Sequence, residues 1–551
     1  MPTFQDALAA LADADAPDRG LRFCFGREAN DQAGVFRPWP QVLRRIDGLA
    51  RRLQAMGTSG GDTVIAVHSH DQETALVALL AAMRLGAVPT ALAPVGTGSP
   101  ERLVAQFRAI LAVSGARLLV CDKPLPDDLA ADLPCPVLVV EALDEADPPE
   151  GCRRAGADDP CFLQFTSGST ATPKGVVVTH RMLLANLAAM RAVIGWDEGG
   201  RCVGWLPIYH DMSLVGMYLM IVAAAARGCF FPTTRFGRSP DLWLRLIAEE
   251  RAHFSAGPNF AFAMVARIHE RRPITGIDLS SLKGIICGSE PIAAEAMRRF
   301  AAITAPLGCP RPVIPAYGMA ECTLMATSAG CGEDLVTVRA DRRALEAESR
   351  FAATAAEGAV ELVGCGGPAP GMAVAIDAGG TLIGEDRVGE VLLAGDSVLD
   401  RYWNNAAATE AAFVIHAGSR WYRTGDLGFV HDGHTYICGR AKDLIIHNGV
   451  NHYPADVEDA LVRDLGDDIR LAAIVDLRRD LAEDFRGLGV LGEAGRKPDE
   501  GSRERIATFV KAWTDLPVAC VHLLPPGEHL PRTTSGKLVR GAIRERLWEL
   551  G

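Results

Sequence analysis

Short β-rich runs alternate with helix-length segments along most of this chain. DTVIAVHS (62–69) precedes an amphipathic stretch at 73–85, and a helical stretch at 101–114 precedes RLLVCD (117–122). RCVGWLP (201–207), GIICG (284–288) and PVIPAYG (312–318) repeat the rhythm. Strands separated by helices imply parallel sheets with helices on their faces. After about residue 365 the spacing collapses: MAVAID, GEVLLAG, RWYRTGDLGFV and HTYICGR follow one another across short turns. That pattern predicts an antiparallel or barrel-like piece. From about residue 441 a compact αβ segment begins, with helices expected at 454–465 and 503–514, a strand at 471–477 and a last helix after Gly536.

Composition narrows the function classes. The 551 residues are 48% hydrophobic and 23% charged, so the chain has enough apolar side chain to bury and is not disordered as a whole. Lys+Arg is 56 and Asp+Glu is 68, a net charge of −12. An acidic surface argues against nucleic acid or anionic lipid as the main partner. The 14 cysteines are scattered from Cys24 to Cys520 with no CxxC pair, which reads as reduced thiols in a cytoplasmic protein. The opening residues are acidic and show no signal peptide. The longest uncharged apolar stretch, 214–226, has 13 residues, too short to span a membrane and suited to a buried helix.

The strongest chemical signal is FLQFTSGSTATPKGVVVTH (162–180). A strand runs into Thr166-Ser167-Gly168-Ser169-Thr170, passes Pro173-Lys174-Gly175 and enters a second strand. Small residues let the backbone approach a polyanion closely, and hydroxyls with backbone N–H groups can wrap its oxygens. Lys174 adds a positive charge. The spacing is not that of the GxxxxGK[ST] loop.

This run resembles the signature loop of the adenylate-forming enzymes: acyl-CoA synthetases, peptide-synthetase adenylation domains and luciferases. Ala171 stands where most members have glycine. GWLPIYHDMSLVG (204–216) and HFSAGPNFAFAMVAR (253–267) resemble one branch, the fatty acyl-AMP ligases. The resemblance implies that His210 shapes the carboxylate and phosphate end of the site, and that Ser213, Met217, Phe260 and Phe262 line an acyl pocket. Ser213 stands where the branch usually has glycine, and Met217 and Tyr218 are bulky, so a shortened pocket is one expectation.

GIICGSEPI (284–292) and AYGMAECTL (316–324) complete the nucleotide set that the resemblance implies. Gly288-Ser289-Glu290 would lie against adenine, with Tyr317, Gly318 and Met319 on the purine side. Glu321, with Thr170, would hold Mg²⁺ on the triphosphate of ATP. A hard cation bridging phosphates needs only one or two protein oxygens. In WYRTGDLGFV (421–430) Asp426 would accept from the ribose hydroxyls, and Arg440 would touch ribose or phosphate. Lys442 matches the family's hinge, and residues 449–454 match its GxNxYP run. In PRTTSGKLVRGAI (531–543) Lys537 would bring a cation to the α-phosphate as the carboxylate attacks.

The implied fold is α/β. A large N-terminal adenylation domain (1–440) has parallel-sheet αβ subdomains and a small β-barrel-like one; a small mobile α+β lid (441–551) follows. The implied reaction joins a fatty or related carboxylic acid to AMP, releases pyrophosphate, and passes the acyl group to the phosphopantetheine thiol of an acyl carrier protein. An extra segment at about 331–363 resembles the insertion that accompanies loss of coenzyme A use in fatty acyl-AMP ligases. Two alternatives stay open: an acyl-CoA synthetase, and a non-catalytic nucleotide- or acyl-binding regulator.

Overall fold

The computed structural model describes residues 2–550 except 15, 29, 59, 62, 96–100, 167–172, 197–198, 357, 448–449, 478–486, 496, 526 and 533–537. The chain forms two compact units. Unit 1 comprises Met1–Leu335, Cys365–Val374 and Leu393–Tyr422; unit 2 comprises Val336–Gly364, Ala375–Leu392 and Arg423–Gly551.

Unit 1 is built on two sheets. In the larger, six neighbouring strands run parallel, in the order Val313–Gly318, Gly284–Gly288, Phe254–Pro258, Arg201–Gly204, Arg227–Phe230 and Gly20–Phe23. Antiparallel strands flank this row: Met325–Ser328 on one side and Val35–Pro38 on the other. Gly284–Gly288 and Phe254–Pro258 are buried throughout, as parallel strands are when helices cover both faces. The smaller sheet has the order Val137–Val139, Leu118–Cys121, Val64–His68, Val88–Leu92, Pro160–Thr166, Lys174–Thr179. Only its last pair is antiparallel, with Thr166 opposite Lys174 across the phosphate-loop hairpin.

The helices start and stop where the residues dictate. Asp71 caps Gln72–Arg84 by accepting from Thr74 N, and Thr179 caps His180–Ile194 by accepting from Met182 N. Gly195, at φ 58°, ends the latter in the left-handed conformation that glycine adopts freely. The apolar stretch expected as a buried helix over 214–226 is helical only to Ala223 and buried to Val222, and it contains a π-helical turn at Leu214–Leu219 between the short helices Asp211–Ser213 and Met220–Ala223. No helix among the described residues is long and apolar enough to cross a membrane.

Between residues 365 and 440 the pairs Met372–Asp377 with Leu382–Ile383, Phe413–His416 with Ser419–His431, and Ser419–His431 with His434–Arg440 are antiparallel, as the spacing predicts, but among the described residues they do not close into a barrel. In unit 2, His434–Arg440 pairs with the second half of Ser419–His431. The segment expected as an insertion folds as an antiparallel pair, Thr337–Ala340 with Val360–Val363, bracketing the helix Arg342–Glu348. Phe351 stacks on Phe429 and Phe429 on Tyr436, in one core with Leu345, Val360 and Tyr453. The C-terminal part carries a three-stranded sheet, Ile469–Asp476, Leu488–Ala494 and Val518–Leu524, covered by Pro454–Asp464, Ser502–Thr514 and Arg540–Leu550. Leu488–Ala494 and Val518–Leu524 are strands that the hydrophobic pattern alone does not single out.

Arg540 anchors the last helix. Its guanidinium donates to Glu458 at 2.5 and 3.0 Å and to the carbonyl of Ile474 at 2.9 Å. Glu458, nearly buried, also accepts from Ile474 N. Removing one member of such a pair strands the other's charge away from water. Arg540→Met is therefore expected to destabilise this lobe by about 3–5 kcal/mol. Native-state hydrogen exchange across Ile469–Asp476 measures it, and unchanged protection there would show the pair to be dispensable.

Candidate active site

A sheet of parallel strands sends every outgoing loop to its carboxyl edge, where ligands of α/β proteins bind. Four of the predicted segments meet this condition in unit 1. Gly204 leads into Trp205–Asp211, Pro258 into Asn259-Phe260, Gly288 into Ser289-Glu290, and Gly318 into Met319–Glu321.

Two glycines here are steric necessities. A Cβ on Gly318 would stand 1.8 Å from the carbonyl oxygen of Leu324, and one on Gly288 would stand 2.9 Å from that of Ala316. The backbone beyond each is turned sharply, with Ser289 at φ 70° and Thr323 at φ 69°. Thr323 is held by its hydroxyl, which donates to the carbonyl of Ser397 at 2.9 Å. Glu290 does structural work that the sequence does not announce. Its Oε1 accepts from Phe260 N at 2.7 Å, while Asn259 Oδ1 accepts from Ala293 N at 3.0 Å. This reciprocal tie locks the start of the helix Asn259–Arg271 to the predicted adenine turn.

His210 caps Asp211–Ser213, its Nδ1 lying 2.8 Å from Asp211 Oδ1 and 3.2 Å from Met212 N. Met212 N donates to Asp211 Oδ1 at 2.7 Å, the shorter of its two contacts. As the cap, Nδ1 accepts from Met212 N, which puts a ring proton on Nε2 and makes that nitrogen a donor. Gln164, a buried amide within the apolar strand Pro160–Thr166, donates to the carbonyl of Tyr209 at 2.9 Å and ties the phosphate-loop hairpin to this turn.

Of the predicted acyl-pocket residues only Phe260 is partly exposed, edge-on to Trp205. Ser213, Met217 and Phe262 are fully buried. The Ser213 hydroxyl donates to the carbonyl of Leu206 at 2.8 Å, and Phe262 packs edge-on against Trp243 and Phe300. Met217 Sδ fills the space beside Gly204, 2.9 Å from where a Cβ there would stand.

The charges of the predicted phosphate end, Lys174 and Glu321, lie close to two tyrosines that sequence reasoning missed. The Tyr402 phenol donates to Glu321 Oε1 at 3.0 Å, and Lys174 Nζ sits 5.2 Å from the centre of the Tyr402 ring. Tyr422 OH lies 3.3 Å from Tyr402 OH. The donor set suits magnesium carried on a polyphosphate: Glu321 offers a hard carboxylate oxygen, and most ligands of such an ion come from phosphate and water. Among the described residues no cluster of three or more His, Cys, Asp or Glu side chains forms a closed metal cage. Ser167, Gly168, Ser169 and Thr170 lie outside the described residues.

Unit 2 holds Asp426, Arg440, Lys442 and Lys537. Asp426 and Arg440 stand opposite each other on paired strands, with Arg440 Nε 3.0 Å from Asp426 Oδ1. Gly425, at φ 70° within the strand Ser419–His431, donates from its N–H to Glu390 Oε1, while Asp426 N donates to Thr424 Oγ1. Asp426 is buried while Arg440 is exposed, so the arginine orients the carboxylate from the solvent side. Lys442 is exposed on the single 3₁₀ turn Ala441–Asp443. Lys537 lies outside the described residues, but the chain on either side of it is paired, Arg532 bridging Leu538 and Val539 N donating to the carbonyl of Pro531.

Comparison with known proteins agrees with this geometry. The family model for AMP-binding enzymes matches residues 26–403, and the chain belongs to that ATP-dependent, adenylate-forming family. Within it, the chain is 33% identical to the long-chain-fatty-acid–AMP ligase FadD26 of Mycobacterium marinum, over 92% of this chain and 91% of that one. It is 31% identical to a Caulobacter vibrioides protein provisionally named an acyl-CoA synthetase, over 98% and 97%. A solved structure from work on the fatty acyl-adenylate ligases of E. coli and L. pneumophila superposes with a TM-score of 0.85 at 28% identity, covering 100% of this chain and 98% of that one.

Gly318→Ala tests the turn. The added methyl must displace the backbone of Leu324, at a cost of about 1–3 kcal/mol. A fall in the denaturant midpoint is expected; an unshifted midpoint would show that the turn opens freely.

Proposed function

We propose that this chain activates a fatty or related carboxylic acid to acyl-AMP with ATP, releasing pyrophosphate, and then passes the acyl group to the phosphopantetheine thiol of an acyl carrier protein. One observation carries the reading. The loops after Gly288 and Gly318 converge with Glu321 at one sheet edge, in a chain a third identical to a fatty-acid–AMP ligase. The alternative acceptor is coenzyme A, which the resemblance to a provisionally named acyl-CoA synthetase keeps in view.

In this reading each group acts mainly by placement and charge, as in other phosphoryl-type transfers. Tyr317, Gly318 and Met319, with Gly288, Ser289 and Glu290, seat the adenine. Asp426, already oriented by Arg440, accepts from the ribose hydroxyls. Thr166 to Thr170 and Lys174 wrap the phosphates, and Glu321 with Thr170 would hold Mg²⁺ there. When bound, that ion neutralises charge on the polyphosphate and orients it. His210 steers the substrate carboxylate through Nε2, and Lys537 stabilises the charge that builds at the α-phosphate. Closure excludes water from the mixed anhydride, and the part of the chain beyond Lys442 is the proposed lid. The acyl chain enters beside Phe260, where the buried Met217 bounds its length.

The insertion helix Arg342–Glu348 supports the carrier-protein reading. The Arg342 guanidinium lies 4.9 Å from the Trp513 ring centre, and Glu346 Oε1 lies 3.5 Å from His452 Nδ1. Both partners lie beyond Lys442, so a lid turning about that residue must break these contacts. Free thiols throughout suit a cytoplasmic setting.

ATP–pyrophosphate exchange over a panel of fatty, hydroxy, amino and aromatic acids tests the activity, with fatty acids expected to respond best. Supplied with ATP, fatty acid and coenzyme A together, the enzyme is expected to stop at acyl-AMP; abundant acyl-CoA would make it an acyl-CoA synthetase. Lys537→Ala is expected to abolish exchange while ATP binding persists in calorimetry, and wild-type exchange rates would remove Lys537 from the mechanism.

A further inference from the structure

Between Lys174 and Glu321 stands one side chain that touches both. Tyr402 is 4% exposed. Its phenol commits its proton to Glu321 Oε1, so the Tyr422 hydroxyl must donate to the Tyr402 oxygen. The result is a directed chain, Tyr422 to Tyr402 to the Glu321 carboxylate, in which each bond polarises the next.

The backbone pins the segment around this residue at three points. Tyr402 bridges Val176 on the second strand of the phosphate-loop hairpin, and Trp403 N donates to the carbonyl of Gly175 at 2.7 Å. Leu399 N donates to the carbonyl of Glu321 at 2.7 Å. The segment 399–403 thus spans from the lysine's strand to the glutamate's turn. A glutamate or lysine left to rotate would lose up to about 2 kcal/mol of side-chain entropy on engaging a ligand. A tyrosine that restrains both beforehand removes part of that loss.

We propose that Tyr402 is a positioning residue for the polyphosphate end of the nucleotide site, setting the Glu321 carboxylate through its hydroxyl and Lys174 through its ring. The proposal rests on the adenylating function proposed above, and it extends that function to a residue outside the nucleotide motifs.

The test reads binding rather than turnover. α,β-Methylene ATP is titrated calorimetrically at a series of Mg²⁺ concentrations, giving the half-saturating Mg²⁺ and the affinity without metal. Tyr402→Phe keeps the ring and removes the hydroxyl. It is expected to raise the half-saturating Mg²⁺ roughly tenfold, the share of one charge-assisted hydrogen bond, and to leave metal-free affinity within about twofold. In a Glu321→Gln background the same change is expected to add less than about twofold, because the charged acceptor is already gone. Tyr402→Leu, which also loses the ring, is expected to weaken metal-free binding as well. An equal effect of Tyr402→Phe in both backgrounds, or none in either, overturns the proposal. If Tyr402→Phe does not fold, Tyr422→Phe in the two Glu321 backgrounds carries the same test, with a smaller shift expected. Acyl activation fails on a different result: a wild-type protein that binds the analogue with Mg²⁺ yet supports exchange with no acid. Wild-type protein showing no Mg²⁺-dependent binding overturns both.

Discussion

Six neighbouring strands running in one direction put every outgoing turn on one edge of the larger sheet. The rest of unit 1's chemistry depends on that alignment. The turns come from segments far apart in sequence, at 205–211, 259–260, 289–290 and 319–321, and the parallel register alone sets them side by side. The alignment also explains where glycine is demanded. Strands packed on both faces leave no room to spread, so the turns after Gly288 and Gly318 fold back onto neighbouring backbone. The reciprocal bonds between Asn259-Phe260 and Glu290–Ala293 then stitch adjacent turns together, which keeps the edge rigid without a large loop.

Charge is handled locally. The net charge of −12 would repel a polyphosphate if it were spread evenly over the surface. Instead the predicted cations stand next to groups that direct them: Lys174 over an aromatic ring, and Arg440 against a buried carboxylate. The predicted anions are likewise oriented before any ligand arrives, Glu321 by a phenol and Asp426 by a guanidinium. Overall acidity therefore bears on solubility and on the choice of macromolecular partner rather than on the nucleotide.

Most of the fold was legible in the sequence because parallel strands buried on both faces read as continuous apolar runs. GIICG and PVIPAYG form strands within a residue of the limits their composition suggests. Leu488–Ala494 and Val518–Leu524 were harder, since glycine interrupts one and the other is only partly buried. The residues at turns were legible through glycine, serine and carboxylate spacing. What sequence spacing cannot show is pairing between distant segments. Tyr402 and Glu321 are 81 positions apart, and nothing in RYWNN states that its tyrosine reaches a carboxylate. The π-helical turn at Leu214–Leu219 is equally silent, because an apolar run reads the same with one more residue per turn. Met217 and Phe262 read as pocket residues by resemblance, and their full burial is a further feature that spacing does not state.

The division into two units has a consequence for how the molecule is made. The chain passes from one unit to the other at 335/336, 364/365, 374/375, 392/393 and 422/423, five times in all. No single cut of the gene can therefore deliver either unit whole. Synthesis from the amino end completes unit 1 at Tyr422, while the strand segments of unit 2 made by then wait for residues 423–551. Until those residues emerge, the apolar side of the Thr337–Ala340 and Val360–Val363 pair lacks Phe429, Tyr436 and Tyr453, the rings that complete its core. The nascent chain thus carries an uncovered hydrophobic surface over the last quarter of its translation, the interval in which a chaperone or a co-translational partner has most to offer.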